Sequence, residues 1–119
     1  IHAVRNGKDA QIDRFPYMAS LWHVDVRHVC GAAIISENYL LTAAHCLIRG
    51  AERTHAIVYG AAQFVGSANI ATIKKFHKHP DYIPPKYVGF IPNTTEGDGA
   101  ASPVILMSDW AKNDIAIIE

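Results

Sequence analysis

One histidine of this chain stands in a setting where acid–base chemistry is conceivable. His45 directly precedes Cys46, and Cys46 and Cys30 are the only cysteines in the sequence. An imidazole titrates near neutral pH, so it can accept a proton from a nucleophile and later deliver it to a leaving group. From these residues alone, the alternative is a histidine that packs beside a disulfide bond without a chemical role.

The segment between the two cysteines predicts the element that would position His45. Apolar runs at 32–35 and 39–41 flank a polar turn, a pattern that is typical of a β-hairpin. Because a hairpin brings its ends together, we expect Cys30 and Cys46 to reach bridging distance. Such a disulfide would hold the backbone next to His45 and stabilise the fold by roughly 3 kcal/mol.

Composition bounds the size of the protein and the partners to expect. The 119 residues include 11 basic and 11 acidic side chains, and half of them are apolar, which is enough for one domain with a modest core. The balanced charge gives no reason to expect a nucleic acid or an anionic membrane as a partner. We see no apolar run long enough to span a bilayer and no signal peptide. Two cysteines placed to pair favour an oxidising compartment over a zinc site.

Other histidines and carboxylates do not predict a metal site. His77 and His79 lie two residues apart and would share one face of a strand, but no third ligand is in view, so we expect surface histidines. Residues 60–75 contain no acidic side chain, whereas calcium requires six to eight oxygen ligands, so no calcium site is expected there. We therefore expect neither a metal nor another cofactor.

Short apolar runs separated by turn residues predict an all-β fold. Residues 18–29 fit two strands with a turn near 25–27, residues 56–60 fit a further strand, and residues 63–76 contain two more apolar runs. The absence of a long helical pattern favours an antiparallel β-barrel or sandwich.

Two segments resemble a known family. Residues 41–46, Leu-Thr-Ala-Ala-His-Cys, together with His-Val-Cys-Gly at 28–31, look like the catalytic-histidine region of the trypsin/chymotrypsin-like serine peptidases. Residues 113–117, Asn-Asp-Ile-Ala-Ile, are similar to the family's segment that bears the triad aspartate. By itself, an Asn-Asp pair before an apolar run would be interpreted as a turn at the start of a strand.

The resemblance implies a role for each residue of the pair. His45 would be the general base that takes the proton of a serine hydroxyl, which is a poor nucleophile until a base assists it. Asp114 would hold the imidazole in one tautomer and stabilise the imidazolium, following the triad chemistry established for this family. Backbone amides at Ala44 and His45 are expected to help orient Asp114.

The start of the chain also resembles the start of the mature peptidase domain. Residues 7–16 align with the family's opening segment, which places the family's first residue on Val4 rather than Ile1. In the family, the freed N-terminal ammonium pairs with a buried aspartate beside the serine. If Val4 is the equivalent residue, the three residues before it could not bury the same ammonium in the same pocket. If processing leaves Ile1 as the working terminus, a local bulge must absorb the extra residues.

Residues 83–111 are predicted to be a long insertion in the loop that borders the family's substrate cleft. Four prolines and three glycines indicate that no regular element runs through them. The segment is either a wall that narrows substrate choice, as in the long loop of tissue kallikreins, or a tolerated surface insertion. It contains Asn93 in an N-glycosylation sequon. A partial match to the nucleophile motif at 97–103 is rejected, because glycine replaces the serine and the motif precedes the aspartate.

The family fold consists of two six-stranded β-barrels, and this chain is long enough for the first. We interpret residues 1–119 as the N-terminal β-barrel of a secreted, extracellular, two-chain serine endopeptidase that acts on proteins or peptides. Either a second chain or fragment would supply the serine, oxyanion hole and specificity pocket, or the sequence is part of a longer chain that carries them. The chain alone should lack peptidase activity. The alternative is a non-catalytic homologue that binds partner proteins, and a self-sufficient disulfide-linked β-module is a third reading.

Overall fold

β-Strands dominate the computed structural model, which describes residues 6–61, 68–91 and 104–119. Within those ranges, the only helices are single 3₁₀ turns at Ile12–Arg14, Ala44–Cys46 and Glu52–Thr54, and no helix is long and apolar enough to cross a membrane. The strands are β1 (Met18–His23), β2 (Arg27–Ile34), β3 (Leu40–Thr42), β4 (His55–Tyr59), β5 (Asn69–Thr72), β6 (Phe76–Lys78), β7 (Lys86–Ile91), β8 (Val104–Asp109) and β9 (Ala116–Ile118).

Seven of these strands form one antiparallel sheet in the order β5-β4-β1-β2-β3-β9-β6. The two edge strands, β5 and β6, are neighbours in the chain and are joined by residues 73–75. That connection spans at most about 14 Å, whereas the edges of a flat seven-stranded sheet would lie about 29 Å apart. The sheet must therefore curl until its edges approach each other. The prediction of an all-β, antiparallel, barrel-like fold is confirmed.

The concave face of the curled sheet holds the core. Leu21 on β1 is fully buried and lies opposite Cys30 on β2 and Ile57 on β4, so its side chain packs at the centre of three strands. Ile118, with 1% of its surface exposed, brings β9 into the same cluster. Strands distant in sequence are thus held together by shared burial of apolar side chains.

The described part of segment 83–111 corrects one prediction. β7 and β8 pair in an antiparallel, two-stranded sheet of their own, so the prediction that no regular element runs through this segment is wrong. The physical reason lies in where its prolines fall, since Pro84 and Pro85 precede β7 and Pro103 precedes β8. A proline outside the strand removes no ladder hydrogen bond.

Four of the predictions concern residues that lie outside the described ranges. These are the two candidate N-termini, the glycosylation candidate and the rejected nucleophile motif, namely Ile1, Val4, Asn93 and residues 97–103. They remain predictions.

Leu21→Ala should lower the free energy of unfolding by about 3 kcal/mol, because it removes buried apolar surface and leaves a cavity. Val24→Ala is the matched control, since Val24 is 73% exposed in the turn after β1. This substitution should change the free energy of unfolding by less than about 0.5 kcal/mol. Urea unfolding under oxidising conditions measures both variants. Equal losses would show that Leu21 does not pack at the centre of the core.

Candidate active site

The β2–β3 hairpin leads directly to His45. Ala33 lies opposite Leu41 and Ile34 opposite Leu40, as the alternation of apolar runs around a polar turn predicts. After β3 the chain makes one 3₁₀ turn, Ala44–Cys46, whose outer two residues are buried while His45 between them projects outward. The side chain of His45 is 58% exposed.

The backbone on both sides of His45 is tied to β2. Cys30 and Cys46 form the disulfide bond predicted from the hairpin, with their Cα atoms 6.1 Å apart. The hydroxyl of Thr42 donates a hydrogen bond of 2.9 Å to the carbonyl of Gly31. The imidazole therefore projects from a backbone that is held by one covalent bond and one hydrogen bond.

Asp114 reaches His45 because β9 pairs with β3. The pairing is antiparallel, with Thr42 opposite Ala116 and Leu40 opposite Ile118. The chain that continues past the end of β3 therefore lies beside the chain that precedes β9. His45 is on the first of these segments and Asp114 on the second, so two residues 69 positions apart become neighbours.

The two side chains make a close and directional contact. Nδ1 of His45 lies 2.6 Å from Oδ2 of Asp114, and the backbone N–H of His45 donates a 2.8 Å hydrogen bond to Oδ1. An ionised carboxylate can only accept, so we assign the ring proton to Nδ1. Nε2 then carries the lone pair and is the nitrogen able to accept a proton.

The surroundings keep Asp114 ionised. Desolvation is the largest single influence and raises the pKa of Asp114, but hydrogen bonds from the side chain and amide of His45, the charge of His45 and the amide of Ala44 together outweigh it. The pKa of Asp114 therefore lies below its usual value. Backbone amides at both expected positions contribute to holding this carboxylate.

The turn before Asp114 is fixed by contacts that the sequence did not lead us to expect. Asn113 adopts a left-handed conformation (φ 54°), and its side-chain amide donates a 2.9 Å hydrogen bond to the carbonyl of Asp81. Ile83 and Lys112 exchange two backbone hydrogen bonds of 3.0 and 2.9 Å. The available signal was the asparagine itself, since asparagine tolerates the left-handed region better than most residues.

The other histidines that the sequence analysis considered lie apart from this pair. Nε2 of the exposed His77 contacts a carboxylate oxygen of Glu119 at 3.1 Å, and Nδ1 of His79 accepts a 3.0 Å hydrogen bond from the backbone of Asp81. In the described ranges, no serine hydroxyl lies within hydrogen-bonding distance of the His45 ring. Its contacts there are Asp114 and, at 3.6 Å from Nε2, the sulfur of Cys46.

Comparison with known proteins gives consistent matches. The family model described as Trypsin matches residues 4–119. Hypodermin-A of Hypoderma lineatum is 34% identical over 79 residues, which cover 66% of this chain and 30% of that protein. A trypsin of Sarcophaga bullata is 32% identical over 79 residues, which cover 66% of this chain and 31% of that protein. Venom serine protease 34 of Apis mellifera is 31% identical over 114 residues, which cover 95% of this chain and 24% of that protein. The chain thus spans less than a third of the length of these relatives.

The family match and the fold agree with each other. A curled antiparallel sheet of this size corresponds to the first of the two barrels of the trypsin fold, and the match extends over nearly the whole chain. The chain therefore belongs to the trypsin family of serine proteases, as a fragment of the protease domain.

Proposed function

We propose that this chain supplies the general base and its orienting carboxylate to a secreted trypsin-like serine endopeptidase. The observation that carries the proposal is the 2.6 Å contact between Nδ1 of His45 and Asp114, which leaves the opposite ring nitrogen able to accept a proton. Proteins or peptides are the substrates, as the names of the relatives indicate for those proteins.

In the proposed reaction, Nε2 of His45 takes the proton of a serine hydroxyl as the oxygen attacks the scissile carbonyl. The imidazolium that forms is stabilised by the Asp114 carboxylate on its other nitrogen. The same proton then passes to the leaving amine. Asp114 acts through His45 and does not touch the substrate.

The serine, the oxyanion hole and the primary specificity pocket must come from outside this chain, either from the rest of the same polypeptide or from a companion chain. Exposure supports this view, since the side chain of His45 is 58% exposed and a completing barrel would bury it. Without that part, the chain should hydrolyse no peptide bond.

The proposal also includes secretion of the protein and cleavage that frees its N-terminus. The Cys30–Cys46 disulfide suits an oxidising compartment, and Asn93 would carry a glycan there. The family match begins at residue 4, which supports Val4 as the activating N-terminus, with Ile1 as the alternative if a bulge absorbs the extra residues. N-terminal sequencing of the active form distinguishes the two.

We further propose that β7 and β8 lie beside the substrate cleft and form one of its walls. The paired residues Ile83 and Lys112 close the base of this ribbon, and Lys112 lies two positions before Asp114. The base of the ribbon is therefore close in sequence to Asp114. It exposes apolar side chains that a bound peptide could contact, including Val88 and Ile105.

His45→Ala and Asp114→Asn should each lower kcat by about 10⁴-fold or more in the protein that carries the serine, which is the range known for such triads. The first removes the base, and the second leaves the ring without its orienting acceptor. His77→Ala is the control and should leave kcat within a few-fold. Steady-state hydrolysis of a peptide substrate measures all three.

Labelling of the same folded protein with a fluorophosphonate provides an independent check, because only an activated serine reacts. Covalent modification that is lost in His45→Ala supports the endopeptidase. A folded protein that is not labelled would contradict it and favour a non-catalytic homologue that binds partner proteins.

The fold should become less stable at acidic pH, partly because Asp114 becomes protonated. Because its folded pKa is depressed below the reference value of 3.8, the ionised carboxylate stabilises the fold above about pH 4, and this contribution is lost as the pH falls through the lowered pKa. Urea unfolding should therefore find Asp114→Asn less stable than the wild type at pH 6, with the difference shrinking towards pH 2.5. Asp25→Asn, in the exposed β1–β2 turn, is the control. A difference that is constant with pH would contradict this linkage.

Replacing residues 86–109 by two glycines should broaden cleavage preference across a peptide library. Turnover of a short substrate should stay within about tenfold, because Ile83 and Lys112 are kept and still hold the turn before Asp114. An unchanged preference would show that the ribbon is a tolerated surface insertion.

A further inference from the structure

The ring of His45 and the two cysteine sulfurs form a cluster of three potential metal ligands. The sulfurs of Cys30 and Cys46 and a ring nitrogen of His45 all lie within 4.8 Å of one another. Across the described ranges, no other three side chains of histidine, cysteine, aspartate or glutamate meet so closely. While the sulfurs are joined to each other, neither is a thiolate, so the cluster holds no metal in the oxidised protein.

The spacing of these atoms suits tetrahedral zinc. With Zn–S bonds of about 2.3 Å and Zn–N bonds of about 2.0 Å, a sulfur and a nitrogen on one zinc ion lie about 3.5 Å apart. The observed distance from Nε2 of His45 to Sγ of Cys46 is 3.6 Å. Two thiolates on the same ion lie about 3.8 Å apart, a separation that side-chain rotation reaches when the Cα atoms are 6.1 Å apart.

The contact with Asp114 completes the arrangement that zinc-binding histidines usually have. A histidine ligand normally donates its other ring N–H to a carboxylate, which fixes the tautomer and makes the ligating nitrogen more basic. Here Nδ1 is 2.6 Å from Oδ2 of Asp114, so Nε2, which lies 3.6 Å from the sulfur of Cys46, is the ring nitrogen left to bind a metal.

The ligands should stay in place when the disulfide opens. β2 remains paired with β3, β3 with β9, and the hydroxyl of Thr42 with the carbonyl of Gly31. Ala44 is fully buried and anchors the 3₁₀ turn that carries His45 and Cys46. None of these interactions requires the bond between the sulfurs.

We propose that reduction of the Cys30–Cys46 disulfide by a dithiol creates a zinc site formed by the two thiolates and Nε2 of His45. The protein disulfide accepts two electrons and the dithiol becomes a disulfide. As the two protein sulfurs bind zinc as thiolates, the two protons of the dithiol are released. Three protein ligands leave the fourth position of the ion to water.

Zinc at this position would occupy the nitrogen that the proposed function assigns to proton transfer. Reduction in the presence of zinc would then switch off the general base reversibly. The metal site itself does not depend on peptidase activity, so metal binding tests it separately from turnover.

The experiment uses cobalt as a spectroscopic probe of the ligands. The chain is reduced anaerobically with a trialkylphosphine, which becomes the phosphine oxide with oxygen from water while two protons go to the thiols. After removal of the phosphine, the chain is titrated with Co²⁺ and then with Zn²⁺. We expect one Co²⁺ per chain, thiolate-to-cobalt charge-transfer absorption, the visible bands of a tetrahedral ion, and displacement by Zn²⁺.

Matched variants separate this site from binding by two free thiols. His45→Ala should weaken Co²⁺ binding at least 100-fold, and Asp114→Asn should weaken it by about 10–100-fold. His77→Ala should bind like the wild type, and the oxidised chain should give no charge-transfer band. Equal affinity of the reduced wild type and His45→Ala, whether folded or unfolded, would overturn the proposal, as would absence of the charge-transfer band.

Discussion

The antiparallel pairing of β3 with β9 is the constraint on which the candidate site depends. Thr42 on β3 lies opposite Ala116 on β9, and this register decides which residues meet beyond the strand ends. A shift by one residue would turn Ile118 out of the core, so burial of that side chain protects the alignment. The contact between His45 and Asp114 is therefore maintained by the energetics of the core, although both side chains are partly exposed.

Local sequence was enough to predict the part of the site that local structure builds. The alternation around the polar turn predicted the β2–β3 hairpin, and the closeness of its ends predicted the Cys30–Cys46 disulfide. The position of Asp114 is different, because an Asn-Asp pair before an apolar run fits the start of any strand. Its meeting with His45 depends on pairing between strands far apart in the chain, which no local pattern encodes, and only the family resemblance pointed to it.

Two further features, the β7–β8 ribbon and the turn before Asp114, were not predicted from the sequence, for physical reasons. A count of prolines suggested a loop over residues 83–111, but prolines disrupt a strand only from within it, and here they lie outside β7 and β8. The turn before Asp114 depends on the hydrogen bond from Asn113 to the carbonyl of Asp81, a partner 32 residues away. The first depends on where the prolines fall within the segment, which a count omits, and the second depends on a contact between distant segments, which no local pattern encodes.

The proposed function requires that Asp114 hold the ring of His45 with the proton of its neutral form on Nδ1. Nuclear magnetic resonance of the folded chain with ¹⁵N-labelled histidine measures this most directly. We expect the Nδ1–H tautomer for His45, with a strongly deshielded ring proton that disappears in Asp114→Asn. An Nε2–H tautomer, or a spectrum of His45 that the substitution leaves unchanged, would contradict it.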